Sequence, residues 1–380
     1  MSYSPKIYLV LTDDWELRGD GSGDIETLQF ENMEKLVRLY EKHGLKGSFF
    51  AELMQQLTFR KFQEDHKELK HLADRWDEIL KDAFRKGHDA QLHIHPQWQG
   101  AKYQRQTWSL QSDWSLKNHP REQALKMIRE GKAYLENLLK PLDPKYSCVA
   151  FRAGGWCLTP SSFLLPLLAD EGIMLDASMV GGHHYKSDAY ELDYRHCEET
   201  FLPFYPDMED ARKVSSNTEP IICVPTFHFY EPAYFVIKRK LIGVIKKLNK
   251  NNKAGAARKL SGEDSPQTQD MGLNTRSYLT REFLWDLFKA PWKGFYRISD
   301  LSLLDYQTLR LMLKKIRAQA KASGLPEVPV IIENHTKLIK DFSSIEKFFS
   351  DISEAKDIQT HTLTELTFDL THGRFSIRTR

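Results

Sequence analysis

Short apolar runs alternate with amphipathic stretches through the first half of the chain. The runs that predict buried strands lie at residues 7–11, 47–51, 89–96, 148–152 and 173–176. The stretches with apolar residues at helical spacing lie between them, at residues 30–43, 67–86, 120–139 and 161–170. Strands and helices that alternate in this order predict parallel βαβ units.

The second half of the chain is less regular. Its predicted strands lie within 219–229, at 328–333 and near 358, and its predicted helices at 234–248, 303–323 and 343–353. A polar segment at 249–272, rich in Asn, Lys, Ser and Gly, predicts a mobile loop. We therefore expect an α/β fold, a single distorted (β/α) barrel over 1–380, with a basic helix and mobile loop inserted at 230–280.

Composition narrows the function classes without choosing one. The 380 residues carry 54 Lys and Arg against 52 Asp and Glu, a net charge of +2, which argues against a dedicated nucleic-acid binder. No apolar run has the length of a membrane span, and the first run is too short for a signal peptide. Four cysteines without a CxxC pair argue against a zinc cluster or disulfide scaffold. These features predict a cytoplasmic protein.

One segment departs from the balanced charge. No acidic residue occurs between Ala233 and Gly262, and Lys238 to Lys259 holds nine basic residues beside apolar ones. A surface helix packed on the domain would produce this pattern. A basic amphipathic helix can also lie on an anionic membrane, so weak membrane-surface association through 234–260 is a further hypothesis.

Ionisable residues follow the predicted strands at the point where each strand ends. They are Asp13 and Asp14, His93 and His95, Arg152, Asp176, and His335. The carboxyl ends of parallel strands gather at one rim of a barrel, where active sites are built. Five strands that each deliver such a group to this rim predict an active site there.

The two histidines point to a metal. His93 and His95 are two residues apart, so on a strand both side chains share a face. With an aspartate nearby they form a nitrogen and oxygen set that suits Zn²⁺ or a similar divalent ion, with one position open to water. The alternative is a pair of hydrogen-bonded histidines that line a loop.

Taken together, these motifs resemble the polysaccharide deacetylase (NodB-homology, carbohydrate esterase) superfamily. The matching segments, spread over most of the chain, are TDDW at 12–15, GHDAQLHIHP at 87–96, FRAGGW at 151–156, LDAS at 175–178 and IIENH at 331–335. The resemblance implies that Asp13 is the general base and that Asp14, His93 and His95 bind the metal. It also implies the fold, a NodB-type barrel.

The remaining motifs carry further roles by the same resemblance. Arg152 would orient the base, and Asp176 would tune His335, the acid that protonates the leaving amine. Gly154, Gly155 and Trp156 would form one wall of the substrate groove. Trp98 lies in an aromatic-rich stretch after the histidine pair and is a further candidate for sugar contact, although these aromatic residues could equally form the core of a lid.

The function implied is metal-dependent removal of an N-acetyl group from a sugar in bacterial surface-polysaccharide biosynthesis. The substrate would be an acetylated sugar, sugar nucleotide or oligosaccharide. The family's histidines are usually four apart, and Trp15 stands where a glycine is usual, which indicates a reshaped groove. Two alternatives stay open: another metallohydrolase, of the amidohydrolase or PHP type, and a glycan-binding barrel without activity.

Overall fold

A computed structural model describes residues 4–187, 190–236 and 294–380. The predicted basic segment at 234–260 lies almost wholly outside the described residues, and so does the predicted loop at 249–272.

The described chain alternates strands and helices as predicted. The strands are β1 (Lys6–Trp15), β2 (Ser48–Glu52), β3 (Asp89–Ile94), β4 (Lys102–Gln104), β5 (Thr107–Ser109), β6 (Ala150–Ala153), β7 (Leu175–Asp176), β8 (His184–Lys186), β9 (Glu191–Asp193), β10 (Ile222–Cys223), β11 (His228–Glu231), β12 (Phe295–Ile298), β13 (Glu327–Ile332) and β14 (Ile358–His361). The α-helices are α1 (Glu31–His43), α2 (Leu53–Phe62), α3 (Lys67–Arg85), α4 (Arg121–Leu139), α5 (Leu164–Asp170), α6 (Tyr306–Ala322), α7 (Ser343–Ser353) and α8 (Leu363–Thr371).

The main sheet is a curled parallel sheet in the order β10-β7-β6-β3-β2-β1-β13, with β14 also paired to β1. A parallel bridge between Thr226 and Ile331 joins its two ends. At this bridge the Phe227 N–H donates to the Ile331 carbonyl at 2.8 Å. The sheet is therefore a distorted (β/α) barrel, as predicted.

Residue parity decides which side chains point into the barrel. Tyr8 and Val10 of β1 share one buried cluster with Ala150 of β6, Leu175 of β7 and Ile331 of β13. Side chains two apart on a strand share a face. Residues that lie two or four positions farther along each of these strands therefore also point inward. This rule determines which polar residues meet at the rim.

Trp15 lies on the other face of β1, in the outer layer. Its ring stacks on Trp76 of α3 with centroids 4.6 Å apart, and it is fully buried. The sequence interpretation that Trp15 reshapes the substrate groove is therefore wrong, because this side chain fills the space between the sheet and its helices.

Several short elements escaped the sequence prediction. Helix α2 shows no clear apolar stripe, because polar residues such as Gln55 and Gln56 are buried in it beside the apolar ones. Helix α8 is only nine residues long, and a capping box between Thr362 and Glu365 starts it. The hairpins β4–β5 and β8–β9 have strands of three residues, too short for an alternating pattern.

The chain divides into two compact units, Met1–His228 with Ile298–Arg380, and Phe229–Arg297. In the second unit, the Arg297 guanidinium pairs with the buried Glu231 carboxylate at 2.8 Å. Within the described ranges, no helix is both long enough and apolar enough to cross a membrane. All residues discussed below belong to the first unit.

Candidate active site

Two histidine rings converge on one carboxylate at the carboxyl end of β3. The Nε2 atoms of His93 and His95 lie 3.6 and 2.6 Å from Oε2 of Glu16, and the ring centroids are 4.7 Å apart. The prediction that the two histidines share a face is confirmed. Glu16 was not predicted, although it lies two residues after Asp14 and so has the same parity.

The tautomer of His93 is set by its surroundings. Nδ1 of His93 lies 2.8 Å from the backbone carbonyl of Arg152, which can only accept, so this nitrogen carries the hydrogen. A neutral ring therefore directs the lone pair of Nε2 toward Glu16. This arrangement is typical of histidines that bind a metal through Nε2.

The cluster of His93, His95 and Glu16 has the side-chain atoms that bind a cation. Among the described residues, Nε2 of His93 is buried and makes no hydrogen bond, whereas Nε2 of His95 lies within hydrogen-bond distance of the Glu16 carboxylate, at 2.6 Å. Buried polar atoms are nearly always satisfied, so an unbonded nitrogen beside a second imidazole and a carboxylate marks a ligand-binding position. The candidate ligand atoms of Glu16, His93 and His95 all lie within 4.8 Å of one another. Two imidazoles and a carboxylate are a set of ligands that suits Zn²⁺.

Glu16 is held as an anion. Its other oxygen contacts the ammonium group of Lys337. Burial alone would raise the pKa of Glu16, but the charges of His95 and Lys337 outweigh it and hold the pKa well below its usual range. The carboxylate is therefore available to a cation at neutral pH.

Asp14 pairs with Arg152 next to these ligands. Nη1 of Arg152 donates to Oδ1 of Asp14 at 2.5 Å, and both side chains are buried. Burial raises the pKa of Asp14, but the charges of Arg152, His93 and His335 together lower it by more, so the net shift is downward. The free Oδ2 lies 3.6 Å from Nε2 of His335 and 3.9 Å from Nε2 of His93.

Arg152 itself is fixed from several sides. It donates to the carbonyl of Ala177 and the hydroxyl of Thr226 at 3.2 and 3.1 Å, and its guanidinium lies 4.4 Å from the centroid of the Phe50 ring. The prediction that Arg152 lies next to Asp13 is wrong. Arg152 points into the barrel, and only the inward-facing Asp14 can reach it.

Asp13 lies on the opposite face of β1. Its oxygens accept hydrogen bonds from the Asn334 amide and, at 3.2 Å, from the Thr336 hydroxyl. Burial raises the pKa of Asp13 to about 7 despite these bonds. The structure thus does not bring Asp13 to the histidines, and its predicted role as the base stays a prediction.

His335 has a carboxylate partner that the sequence did not reveal. Its Nδ1 lies 2.8 Å from Oδ2 of Asp300. Burial would lower the pKa of His335, but the charge and hydrogen bond of Asp300 raise it to about 10. Asp300 precedes a short 3-10 helix (Leu301–Leu303), whose Ser302 N–H it caps, and no recognisable motif surrounds it.

The predicted partner of His335, Asp176, lies elsewhere. It is on the outer face of β7, because the neighbouring Leu175 and Ala177 point into the barrel. It accepts hydrogen bonds from the amide and hydroxyl of Ser178 at 3.0 and 2.6 Å. Burial raises the pKa of Asp176 to about 6. The prediction that Asp176 tunes His335 is therefore wrong.

The Gly-Gly-Trp segment follows β6 directly beside the ligands. A Cβ on Gly154 would lie 2.6 Å from the Ile94 carbonyl and 3.0 Å from the His95 ring, so only glycine lets the two segments approach. Gly155 has φ +58°, and the ring of Tyr190 packs against it. Trp156 is partly exposed, and its ring meets that of His335 edge to face at 5.9 Å.

Trp98 is buried rather than presented to a groove. Its side chain is 2% exposed and packs edge to face on Phe59 and Trp108. The prediction that Trp98 contacts a sugar is therefore wrong, because it forms part of a core beside α2.

Glu333 is a further buried carboxylate that sequence reasoning missed. Its Oε2 accepts a hydrogen bond from Nε1 of Trp156 at 3.1 Å, and burial raises its pKa to about 8. Glu333 and His335 have the same parity as Ile331, which explains why both face the interior. Asp300, Glu333 and His335 also lie close enough to hold a cation, but Nδ1 of His335 is already bonded to Asp300. The Glu16 set offers two imidazole Nε2 atoms and a carboxylate and fits a metal better.

Comparisons with known proteins add only a fold likeness. No family model matches the sequence, and no curated protein matches it. The chain is similar to solved structures named as polysaccharide deacetylases from Mycobacterium smegmatis (13% identity, TM-score 0.48, covering 100% of this chain and 95% of that one) and Pseudomonas aeruginosa PAO1 (12%, 0.46, 97% and 92%). It is also similar to the structure of Puue allantoinase (12%, 0.47, 97% and 92%).

Two of these three structures bear the name of the family that the motifs resemble. Because the TM-scores are below 0.5 and the identities are 12 to 13%, the chemistry of this chain is inferred from its own side chains.

Proposed function

We propose that this protein is a metal-dependent hydrolase that removes an acyl group, most simply N-acetyl, from a sugar. One observation carries the proposal: the buried Nε2 atoms of His93 and His95 converge on the Glu16 carboxylate. They do so beside an ionised aspartate and a charged histidine. This combination of a cation site, a base and an acid is what amide hydrolysis needs.

Glu16, His93 and His95 would hold the divalent metal, for which Zn²⁺ is the best match by donor type. This set differs from the sequence prediction, in which Asp14 stood in the place of Glu16. When bound, such a cation supplies a reactive water at neutral pH and polarises a carbonyl oxygen.

Asp14 is the base that we propose in place of Asp13. Arg152 occupies Oδ1 of Asp14 and leaves Oδ2 directed at the histidines. The carboxylate is ionised at neutral pH, since its pKa lies below the ordinary value, and Oδ2 can therefore accept a proton. Asp13 lacks this access, because both of its oxygens are engaged on the outer face of β1.

His335 is the proposed acid. Asp300 holds the proton on Nδ1 and orients the ring, so that Nε2 faces Oδ2 of Asp14 at 3.6 Å. The imidazole is charged at neutral pH, because its pKa is raised to about 10. It can then donate the Nε2 proton to a departing amine.

The sugar and its setting come from the motif resemblance. We propose an acetylated sugar, sugar nucleotide or oligosaccharide as substrate, and cytoplasmic synthesis of a bacterial surface polysaccharide as the context. Trp156 and Gly155, which the resemblance places in the groove wall, lie beside His335 and Tyr190.

Metal analysis of the purified, reconstituted protein tests the ligand set. We expect about one divalent ion per chain in wild type, a large loss in Glu16→Gln, and retention in Asp14→Asn and Asp13→Asn. Asp14→Asn leaves Arg152 unpaired, so circular dichroism must first confirm that this variant is folded. A wild-type protein that holds no stoichiometric ion would overturn the proposal.

Acetate release tests the chemistry on N-acetylglucosamine, its uridine diphosphate sugar and chitotetraose. Asp14→Asn should lower kcat by about 100-fold or more, the usual contribution of a general base, whereas Asp13→Asn should retain most activity. If Asp13→Asn is the inactive variant, the base is Asp13 after all. Metal-loaded protein that binds these sugars without releasing acetate would instead support the glycan-binding alternative.

A further inference from the structure

Trp156 adopts a backbone conformation that bulky residues avoid. Its φ is +57°, directly after Gly155 at +58°. A left-handed conformation in a large residue persists only where the surroundings enforce it, and such outliers cluster at functional sites. Here the hydroxyl of Tyr194 and the N–H of Leu158 both donate to the Trp156 carbonyl, at 2.6 and 3.0 Å.

The same conformation directs the indole to one buried acceptor. Nε1 of Trp156 donates to Oε2 of Glu333 at 3.1 Å. The indole ring is also nearly perpendicular to two histidine rings, His335 at 5.9 Å and His183 at 5.7 Å. Trp156 therefore contacts the proposed acid and is itself partly exposed.

Glu333 is costly to keep where it is. Its side chain is fully buried, and within the described part of the chain its Oε1 has no hydrogen-bond partner. A buried carboxyl group with an unsatisfied oxygen costs more than an apolar side chain of similar size, even when it is protonated. Among the residues described, the hydrogen bond to its side chain comes from the Trp156 indole, so packing alone does not explain this residue.

We propose that Glu333 is a positioning residue that anchors the Trp156 indole as a fixed wall beside His335, against which the sugar ring of the substrate packs. The wall's role rests on the proposed function, whereas the anchoring does not. An indole face suits the apolar face of a pyranose ring, and a fixed wall reduces the ordering needed on binding.

Nuclear magnetic resonance of protein labelled with ¹⁵N at the indole nitrogens tests the anchoring without any substrate. The Trp156 signal is identified by its absence in Trp156→Phe. In Glu333→Leu we expect a shifted Nε1–H signal whose hydrogen exchange is at least 10-fold faster. In Glu333→Gln the amide oxygen still accepts, so the wild-type signal should persist. An unchanged signal and exchange rate in Glu333→Leu would overturn the proposal.

Steady-state acetate release from chitotetraose and N-acetylglucosamine tests the consequence. In Glu333→Leu, KM should rise about 10-fold with little change in kcat, Glu333→Gln should restore KM, and Trp156→Phe should resemble Glu333→Leu. The double variant should be no worse than either single variant, since both remove one bond. Increases in KM that add up in the double variant, or a KM that is unchanged in Glu333→Leu, would refute the proposal that the anchored indole binds the sugar ring. No acetate release by wild type would refute the proposed function and leave the indole result standing.

Discussion

The Asp300–His335 pair allows a quantitative prediction. Asp300→Asn removes the negative charge that lies 2.8 Å from Nδ1 of His335 and keeps a side chain of nearly the same shape. Charges about 4 Å apart at an effective dielectric constant of about 20 interact by about 4 kcal/mol. That energy corresponds to about 3 pKa units. The pKa of His335 should therefore fall from about 10 to about 7.

The assay is an NMR titration of the imidazole groups in metal-free protein. The chain has 14 histidines, so the His335 signal is assigned by its loss in His335→Gln. Asp176→Asn is the matched control, because Asp176 is equally buried but bonds to Ser178 and Cys223 instead. The control should leave the pKa of His335 unchanged. A pKa that stays above 9 in Asp300→Asn, or one that falls in Asp176→Asn, would refute this pairing.

Three further predictions concern residues around the barrel. The pKa of His88 is lowered to about 4 by burial, so between pH 4 and 6.5 the unfolded chain binds more protons than the folded protein. About 3 kcal/mol of stability should therefore be present above pH 6.5 and lost as the pH falls to 4. Urea unfolding should show a shallower pH dependence of this stability in His88→Gln. Gly154→Ala should displace the His95 ring and lower metal affinity at least 10-fold by competition titration, whereas Gly44→Ala, with open space around it, should not. Trp98→Ala should lower the free energy of unfolding by about 3–5 kcal/mol in chemical denaturation without changing KM. A raised KM in this variant would instead support a role of Trp98 in substrate binding.

The barrel was predictable from local patterns because each strand and helix carries its own signal. The apolar runs at β1, β3 and β13 and the amphipathic helices α1, α3 and α4 lie within a few residues of their predicted positions. The polar residues at the ends of those strands follow from the same pattern. What escaped were elements without a repeating stripe, such as α2, and residues such as Asp300 that stand in no motif.

The roles within the site were harder, since adjacent residues on a strand face opposite ways. Asp13 and Asp14 are equivalent in the sequence, yet Asp14 meets Arg152 inside the barrel and Asp13 meets Asn334 outside it. Asp176 failed as a partner for His335 for the same reason.

The sequence alone determined the order of strands and helices, the rim at which the ionisable groups gather, and the shared face of His93 and His95. Each of these depends on spacing along one segment. Only the tertiary structure decided which parity of each strand points inward, because that depends on how neighbouring strands pair and which face the helices cover. That choice brought Glu16 to the histidines and Asp300 to His335, and placed Asp13 and Asp176 in the outer layer.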